Sequence, residues 1–169
     1  MRIENKTKWL TFTALFLAMN VVLSSFSIPV PGGHLYLNDV IICTASIMMD
    51  PFSAFLVGGV GAFLGDFLFY PAPMFVSLVT HGIQAVVISL IANKWMKNKE
   101  PLGAIVGVTV GAVIMVVGYT LGRTFVYANW QTAVVKFPFE CLQAGVGAIG
   151  GVILCYTANI KKRFTEIVA

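Results

Sequence analysis

Charge is scarce in this chain: Asp, Glu, Lys and Arg make up 11% of its 169 residues, whereas soluble domains average roughly 25%. Hydrophobic residues reach 58% and fill six segments, several of which approach the ~20 residues that a bilayer-spanning helix needs. These segments are apolar all round, while a soluble helical core shows amphipathic stripes with a charged outer face. The composition therefore excludes a soluble protein and predicts an all-α integral membrane protein with a single domain over residues 1–169.

Cysteine is also rare, and the common catalytic motifs are missing. The three cysteines, Cys43, Cys141 and Cys155, all fall in apolar segments, and an odd number there is not a disulfide framework. No CxxC or His/Cys cluster indicates a metal, and no GxSxG, HExxH or GxxxxGK[ST] motif is present. The basic residues lie beside apolar segments and form no basic stripe, which argues against nucleic-acid binding. We therefore expect no catalytic residue, no metal site and no cofactor bound by this chain.

The apolar segments predict six transmembrane helices. Their expected limits are residues 8–27, 38–50, 51–70, 74–92, 102–122 and 138–160. The second is short unless residues 35–37 belong to it, and residues 28–37 form a loop because Pro29 and Pro31 stop a helix. The first is a retained helix, since its apolar region of about 19 residues exceeds the 7–15 of a signal peptide. Asp50, before Pro51, is expected to cap helix three and to bind nothing.

Lysine and arginine are distributed unevenly between the two sides of this arrangement. Six spans place both termini on one side, together with the loop between helices four and five. That side carries nine basic residues, Arg2, Lys6, Lys8, Lys94, Lys97, Lys99, Lys161, Lys162 and Arg163. The opposite side carries only Arg123 and Lys136. Because basic loops stay in the cytoplasm, both termini are predicted to be cytoplasmic.

With this orientation, polar residues gather at the outer ends of the helices. The candidate substrate-binding residues are His34, Tyr36, Asn38, Asp39, Asp66, His81, Gln84, Tyr119, Arg123, Glu140 and Gln143. Ionisable groups at membrane depth are costly unless paired, and they usually mark a site. His81 and Gln84 lie three residues apart on one helix face and away from the helix ends. They are therefore the strongest candidates for substrate binding in this set. The mixture of aromatic, amide and charged groups favours a small, polar, ring-shaped ligand.

Structural roles stay open for the acidic members of this set. Asp39 and Asp66 could bond to helix ends or pair with Arg123. Glu140 falls in the first turn after Pro138, where the helix dipole alone favours a carboxylate. For these three acids the sequence leaves a structural and a binding role about equally supported.

Three stretches carry a resemblance to a known family. They are GGHLYLND at residues 32–39, DPFSAFLVGGVGAFLGDFLFYP at residues 50–71 and THGIQAVV at residues 80–87. With six spans and the outward polar cluster, the chain resembles, over essentially its whole length, the substrate-binding S components of energy-coupling factor (ECF) vitamin transporters. Among these it looks most similar to the type proposed to carry hydroxymethylpyrimidine or pyridoxine.

The resemblance implies a mechanism and partners. An S component captures a vitamin outside a bacterial cytoplasmic membrane, docks through helix one on a transmembrane T component, and releases the vitamin inward when two cytoplasmic ATPases hydrolyse ATP. Helix one here carries Ala14 and Ala18, a small-xxx-small pair that permits close packing, and these are the expected docking residues. Because the chain lacks a phosphate loop, ATP and Mg²⁺ would be used by the partner subunits. Family pocket positions in loop one and helices four to six carry His34, Tyr36, His81, Gln84, Arg123, Glu140 and Gln143.

Two other function classes are weighed against this one. A small proton-coupled secondary transporter would use Asp66, Glu140 or His81 as a proton relay. Such transporters often contain inverted repeats, and residues 1–85 and 86–169 show no convincing similarity. A membrane-embedded enzyme would place its acids near the cytoplasm, where only Asp50 and Glu100 lie, so it ranks last.

Overall fold

The computed structural model describes residues 5–168, which form seven helices and one β-hairpin. The helices are α1 (Lys6–Ser24), α2 (Asn38–Met48), α3 (Pro51–Phe69), α4 (Met74–Trp95), α5 (Leu102–Tyr127), α6 (Trp130–Thr157) and α7 (Ile160–Val168), and the strands are β1 (Ser27–Val30) and β2 (Gly33–Tyr36). Arg2, one of the basic residues assigned to the cytoplasm, lies outside this part. The single domain over residues 1–169 stays a prediction.

Five of the described helices, α1 and α3 to α6, are long and apolar enough to cross a membrane. The predicted second span, α2, has only 11 residues, about 16 Å at 1.5 Å per residue, against a hydrocarbon core of about 30 Å. It packs against α1, α4 and α6, and nearly all of its side chains are buried. A segment enclosed by protein need not match the bilayer thickness. The membrane class is confirmed, whereas six spans and cytoplasmic termini stay predictions.

Residues 28–37 were predicted as a loop, but most of them form an antiparallel hairpin. Ser27 pairs with Tyr36, and Val30 pairs with Gly33 at the turn. The turn needs glycine because Gly32 has φ 82° and Gly33 has φ 150°, which residues with a Cβ avoid. Residues 35–37 therefore do not extend α2. We call the end of the bundle that carries this hairpin the hairpin end.

The sixth predicted helix begins eight residues too late in the sequence. In the structure α6 starts at Trp130, after Asn129, whose side chain accepts a hydrogen bond from the Thr132 N–H at 2.9 Å. Pro138 lies inside α6 and does not start it. Glu140 is therefore in the third turn, beyond the reach of the dipole at the helix N-terminus. That structural explanation of Glu140 is wrong.

The C-terminal tail, predicted only as a basic tail, forms the amphipathic helix α7. Phe164 and Val168 are buried, and the Phe164 ring packs edge-on to Phe12 and Phe16 of α1, with centroids 4.9 and 6.5 Å apart. The basic residues of α7 lie at the same end of the bundle as the other cytoplasmically assigned ones. We call this the lysine-rich end, with Lys6, Lys8, Lys94, Lys97, Lys99, Lys161, Lys162 and Arg163.

Asp50 caps α3, as predicted, and also ties α3 to α1. Its Oδ1 accepts hydrogen bonds from the backbone N–H groups of Phe52 and Ser53, and its Oδ2 accepts from Ser53 Oγ at 2.7 Å and Trp9 Nε1 at 3.0 Å. Burial raises the pKa of the Asp50 carboxyl, but these hydrogen bonds outweigh burial and leave the pKa below its ordinary value. The folded state therefore favours the ionised carboxylate.

Asp50→Ala is expected to lower the free energy of unfolding by about 0.5–2 kcal/mol at neutral pH. Because the folded pKa lies below the unfolded one, this contribution is complete above about pH 4 and is lost as pH falls through the folded pKa. Thermal unfolding of the wild type and the variant in detergent, at neutral pH and below about pH 3, measures how far the variant is destabilised at each pH. Asn5→Ala, which removes the uncharged cap of α1, is the control whose effect should not vary with pH. An equal loss for Asp50→Ala at both pH values would contradict the assignment.

Candidate functional site

A small cavity lies at the hairpin end, between the hairpin, the end of α3 with the loop that follows it, the end of α5, and α6. Its lining consists of Gly33, His34, Tyr36, Asp66, Tyr70, Pro73, Tyr119, Arg123, Tyr127, Glu140 and Gln143. Seven of the eleven predicted binding residues are in this lining. The other four, Asn38, Asp39, His81 and Gln84, are buried but are not part of it. The structure therefore brings most of the predicted set to one place.

A line of hydrogen bonds connects the hairpin to α4 through Asp39. Gln143 Oε1 accepts from the backbone N–H of Tyr36 at 3.0 Å, and Gln143 Nε2 donates to Asp39 Oδ2 at 2.7 Å. Gln84 Nε2 donates to Asp39 Oδ1 at 3.2 Å, and Gln84 Oε1 lies 2.6 Å from His81 Nδ1. Because an amide oxygen only accepts, His81 Nδ1 carries a proton. Asp39 is thus held by two amides, and a single helix face positions His81 and Gln84 as predicted.

A buried ion cluster joins α5, α6 and the turn of the hairpin. Arg123 Nη2 donates to Glu140 Oε1 at 2.8 Å, and Arg123 Nη1 donates to the carbonyl oxygen of Gly32 at 2.6 Å. Lys136, one turn before Glu140, places Nζ 3.8 Å from the same Oε1 and makes no hydrogen bond to a described residue. Glu140 therefore neutralises two buried cations, and Arg123 holds the hairpin over the cavity.

Asp66 forms a second polar cluster with side chains of α4 and α5. Ser77 Oγ donates a short hydrogen bond to Asp66 Oδ2 and lies 2.5 Å from the hydroxyl of Tyr119. The ring of His81 stands edge-on to Tyr119, with centroids 5.2 Å apart. Among residues 5–168, Arg123 pairs with Glu140 and not with Asp66, so the ion pair weighed for Asp66 does not form.

Asn38 faces α1 and not the cavity. Its Nδ2 donates to Asn20 Oδ1 at 3.0 Å and to Ser24 Oγ at 3.2 Å. Asn20 Nδ2 in turn donates to the carbonyl oxygen of Val57 at 2.6 Å, in the π-helical turn of α3, where a carbonyl can leave the normal helix ladder. The helices approach closely here, since a Cβ on Gly61 would lie 2.6 Å from Asn20 Nδ2. A ligand role for Asn38 stays a prediction, while its observed contacts link α1 to α2.

The cavity is tightly filled by aromatic side chains. Its volume is about 20 Å³, whereas pockets for small molecules measure roughly 300 Å³ or more. The ring of His34 packs against Tyr70 and Tyr36, with centroids 5.2 and 6.3 Å apart. Burial raises the pKa of the Tyr36 hydroxyl well above its ordinary value, so this group is neutral at physiological pH. Entry of a ligand requires some of these lining side chains to move.

The predicted docking residues lie on the outer face of α1. Ala14 and Ala18 are exposed, and the large apolar side chains exposed on the same helix are Leu10, Leu15, Met19 and Val22. The buried residues of α1, Thr13, Phe16, Asn20 and Ser24, lie on the other side of the helix. The face with Ala14 and Ala18 is therefore exposed in the described part of the bundle.

Lys136, Ser77 and Asn20 contribute to these clusters but were missed as site residues. Lys136 lies four residues before Glu140, a spacing that brings side chains together on a helix. That signal was hidden because α6 was expected to start at Pro138. Ser77 likewise precedes His81 by four residues. Asn20 is a lone amide in an apolar helix, which is a recognisable signal in a membrane segment.

Comparisons with known proteins give a consistent result. The family model described as ECF-type riboflavin transporter, S component, matches residues 4–162. The thiamine precursor transporter HmpT of Lactococcus lactis subsp. cremoris strain MG1363 is 32% identical over 152 residues, 86% of this chain and 85% of the relative. A Pyrococcus woesei protein, described as an uncharacterized protein in the gap 3′ region, is 31% identical over 153 residues, 89% of this chain and 99% of that protein.

A solved structure described as the S component of a bacterial ECF transporter shares the fold. It superposes with a TM-score of 0.71 at 20% identity, covering 92% of this chain and 97% of that one. The family match over nearly the whole length agrees with this fold. The chain therefore belongs to the S components of ECF-type transporters, which are integral membrane subunits that bind substrate and are not enzymes, as the sequence predicted.

Proposed function

We propose that this chain captures a small ring-shaped vitamin or vitamin precursor outside the cell and delivers it to the cytoplasm together with a T component and two ATPases. Hydroxymethylpyrimidine is our first candidate ligand, and pyridoxine is the second. The observation that carries the proposal is the buried polar site under the hairpin, where amide, carboxylate and aromatic groups meet.

The distribution of basic residues supports an outward-facing site. The eight described basic residues of the lysine-rich end lie near helix ends or in loops. At the hairpin end, Arg123 and Lys136 are both buried, so they are structural cations and not loop charges. The positive-inside rule then places the lysine-rich end in the cytoplasm and the hairpin end outside. With α2 counted as a short sixth crossing, both termini are cytoplasmic.

The groups around the cavity match the chemistry of a nitrogen heteroaromatic ring. Aromatic side chains such as His34 and Tyr70 offer faces for stacking. Asp66 and Glu140 can accept hydrogen bonds from an amino or hydroxymethyl substituent, and Gln143 can both donate and accept. A fully apolar vitamin would leave these buried polar groups unpaired, which is costly.

Size favours a one-ring ligand over a larger one. The matching family model is described with riboflavin, which has three fused rings, and the relative HmpT with a thiamine precursor. The cavity of about 20 Å³ must expand for either ligand. A single pyrimidine or pyridine ring requires fewer of the packed side chains to move, and that supports the smaller ligand class.

The ligand is identified by purifying the protein in mild detergent and analysing the co-purifying small molecule by mass spectrometry. Isothermal titration of ligand-free protein with hydroxymethylpyrimidine, pyridoxine and riboflavin then ranks the three. We expect one-to-one binding, tightest for a one-ring compound. Tighter binding of riboflavin would overturn the assignment of ligand class and leave the family unaffected.

Transport assays test the proposed division of labour. In liposomes, we expect uptake only when a T component and the ATPases are present together with ATP and Mg²⁺. Uptake by this chain alone, dependent on pH and lost in Glu140→Gln, would instead support a proton-coupled transporter.

Gln143→Leu is expected to weaken ligand binding by about 0.5–1.5 kcal/mol, because a leucine at this cavity-lining position cannot form a hydrogen bond to the ligand. The variant also loses the bond to the Tyr36 N–H, which frees β2, so ligand dissociation should become faster. Isothermal titration and stopped-flow dissociation measure both effects. Gln131→Leu, a change of the same type at an exposed position of α6, is the control. Equal affinity of the two variants would argue against a role for Gln143.

A further inference from the structure

A second cavity lies at the lysine-rich end, at the other end of the bundle from the proposed ligand site. Its volume is about 980 Å³. It is bounded by the start of α3, the end of α4, the loop that follows, the end of α6 and α7. Four lysines contribute to its wall: Lys94, Lys97, Lys161 and Lys162. None of the functions described above uses this cavity.

The acids of the cavity wall do not neutralise all of its lysines. Asp50 is already occupied by four hydrogen bonds, as described above. Glu100 is paired with Lys161, whose Nζ also lies 3.2 Å from Tyr156 Oη. Lys94, Lys97 and Lys162 have no ion-pair partner among residues 5–168, and Glu166 is the remaining acid of the wall. The cavity therefore presents an excess of positive charge to a ligand.

The surroundings of the cavity are those of a membrane interface. Trp95, next to Lys94, is 68% exposed, and tryptophan concentrates at the headgroup level of bilayers. The helix α7 buries Phe164 against α1 and keeps Lys162 exposed, which is the amphipathic pattern of an interfacial helix. Leu102 and Ile153 are exposed apolar residues, each two residues along the chain from a residue of the cavity wall, Glu100 and Cys155 respectively. The cavity wall is thus cationic, and exposed apolar helix surface begins close to it along the chain.

We propose that this cavity binds the headgroup of an anionic phospholipid from the inner leaflet, with Lys94, Lys97 and Lys162 around the phosphate. The proposal rests on the proposed orientation, which places the lysine-rich end in the cytoplasm. Basic pockets on the cytoplasmic side of membrane helices suit phosphate headgroups. The exposed Leu102 and Ile153 favour a lipid over an acidic peptide or a free phosphate compound, because acyl chains can lie along them.

Native mass spectrometry of the full chain tests the proposal. The protein is released from vesicles of equal parts phosphatidylglycerol and phosphatidylcholine, and we expect phosphatidylglycerol to be retained preferentially. The triple variant Lys94→Gln/Lys97→Gln/Lys162→Gln should lower that preference on the order of 100-fold, about 3 kcal/mol at about 1.4 kcal/mol per tenfold, because three charge-assisted contacts to the phosphate are lost. Equal retention of the two lipids by the wild type would overturn the proposal.

A matched control separates this cavity from general surface charge. Lys6→Gln/Lys99→Gln/Arg163→Gln removes the same charge from the same end but leaves the cavity wall intact, so the lipid preference should persist. If both triple variants lose the preference equally, nonspecific attraction explains it and the proposal fails.

Two further arms identify the source of the bound group. Excess inorganic phosphate should not displace phosphatidylglycerol, and displacement would assign the cavity to a free phosphate compound. If the cavity variant keeps its lipid preference but loses assembly with the T component and ATPases, an acidic protein segment is the occupant and the lipid proposal fails. Titration with hydroxymethylpyrimidine should give the same affinity in both variants, so failure of the lipid proposal and failure of the proposed function are distinguishable.

Discussion

Replacing Glu140 by alanine is expected to destabilise the protein by about 3–5 kcal/mol, because removing one partner of a buried ion pair leaves uncompensated charge in a low-dielectric interior. Here the substitution leaves two buried cations without their carboxylate partner. Arg123 is 6% exposed and Lys136 only 1% exposed, and their nitrogens lie 2.8 and 3.8 Å from the same Glu140 oxygen. Neither cation has another carboxylate within 4.0 Å in the described part of the chain.

Thermal unfolding in detergent, with and without ligand, measures the effect of Glu140→Ala. Glu100→Ala is the control, since it breaks the ion pair with Lys161 at a position where Glu100 is 42% exposed. Exposed ion pairs contribute about 0–1 kcal/mol to stability, so the unfolding temperature of this variant should be close to that of the wild type. Equal destabilisation by the two variants would show that the Glu140 cluster is hydrated and not buried.

A compensating variant separates unpaired charge from lost packing. Glu140→Leu/Arg123→Leu/Lys136→Met removes all three charges and keeps similar side-chain volumes, and apolar replacement of a whole buried ion cluster is often neutral or stabilising. We expect it to regain most of the stability lost in Glu140→Ala. Ligand binding should not recover, because the hairpin loses the hydrogen bond from Arg123 to Gly32. Recovery of binding would argue against Arg123 as the anchor of the hairpin.

The parts of the fold that depend on local chemistry could be predicted from the sequence. Asp50 and Pro51 specify a helix start through a cap and a fixed φ, and the structure places them there. The hairpin could not be predicted in the same way, because it depends on distant contacts. A Cβ on Gly33 would lie 3.2 Å from Arg123 Nη1, a restriction that arises only after α5 has packed beside it.

The start of α6 was predicted wrongly because proline usually breaks or begins a helix, whereas Pro138 lies inside α6 in this bundle. Proline removes one helix hydrogen bond, but neighbouring helices and small backbone adjustments tolerate it in membrane segments. The real start signal is the Asn129 cap, which lies in the stretch between the fifth and sixth predicted helices. Correcting the start places Lys136 on α6 one turn from Glu140, and so completes the ion cluster.

Polar residues in apolar segments indicated the region of the site but not the function of each one. Asp39 and Asn38 are adjacent in sequence, yet Asp39 bonds to Gln84 and Gln143 while Asn38 bonds to Asn20 on α1. Successive helix residues point about 100° apart, so one register decides which faces the site. That register follows from how α2 packs between α1 and α6, which the sequence does not state.

Ala14→Trp and Ala18→Trp are each expected to abolish assembly with the T component and the ATPases while leaving ligand affinity unchanged. Small residues let helix backbones approach closely, and an indole ring at either position would hold a partner helix several ångströms away. Both alanines are exposed. The opposite face of α1 is fixed by the hydrogen bonds of Asn20 to Val57 and Asn38, so the ring can remain outside and the bundle should fold normally.

Co-purification of the affinity-tagged chain with co-expressed partners measures assembly, and isothermal titration of the isolated variant measures ligand binding. Val113→Trp is the control, because Val113 is 59% exposed on α5 and a tryptophan there faces lipid in the proposed arrangement. It should assemble like the wild type. Normal assembly of both alanine variants would exclude this face of α1 as the docking surface. Loss of ligand binding in them would instead show that α1 supports the site through Asn20, since that side chain connects α1 to the residue beside Asp39.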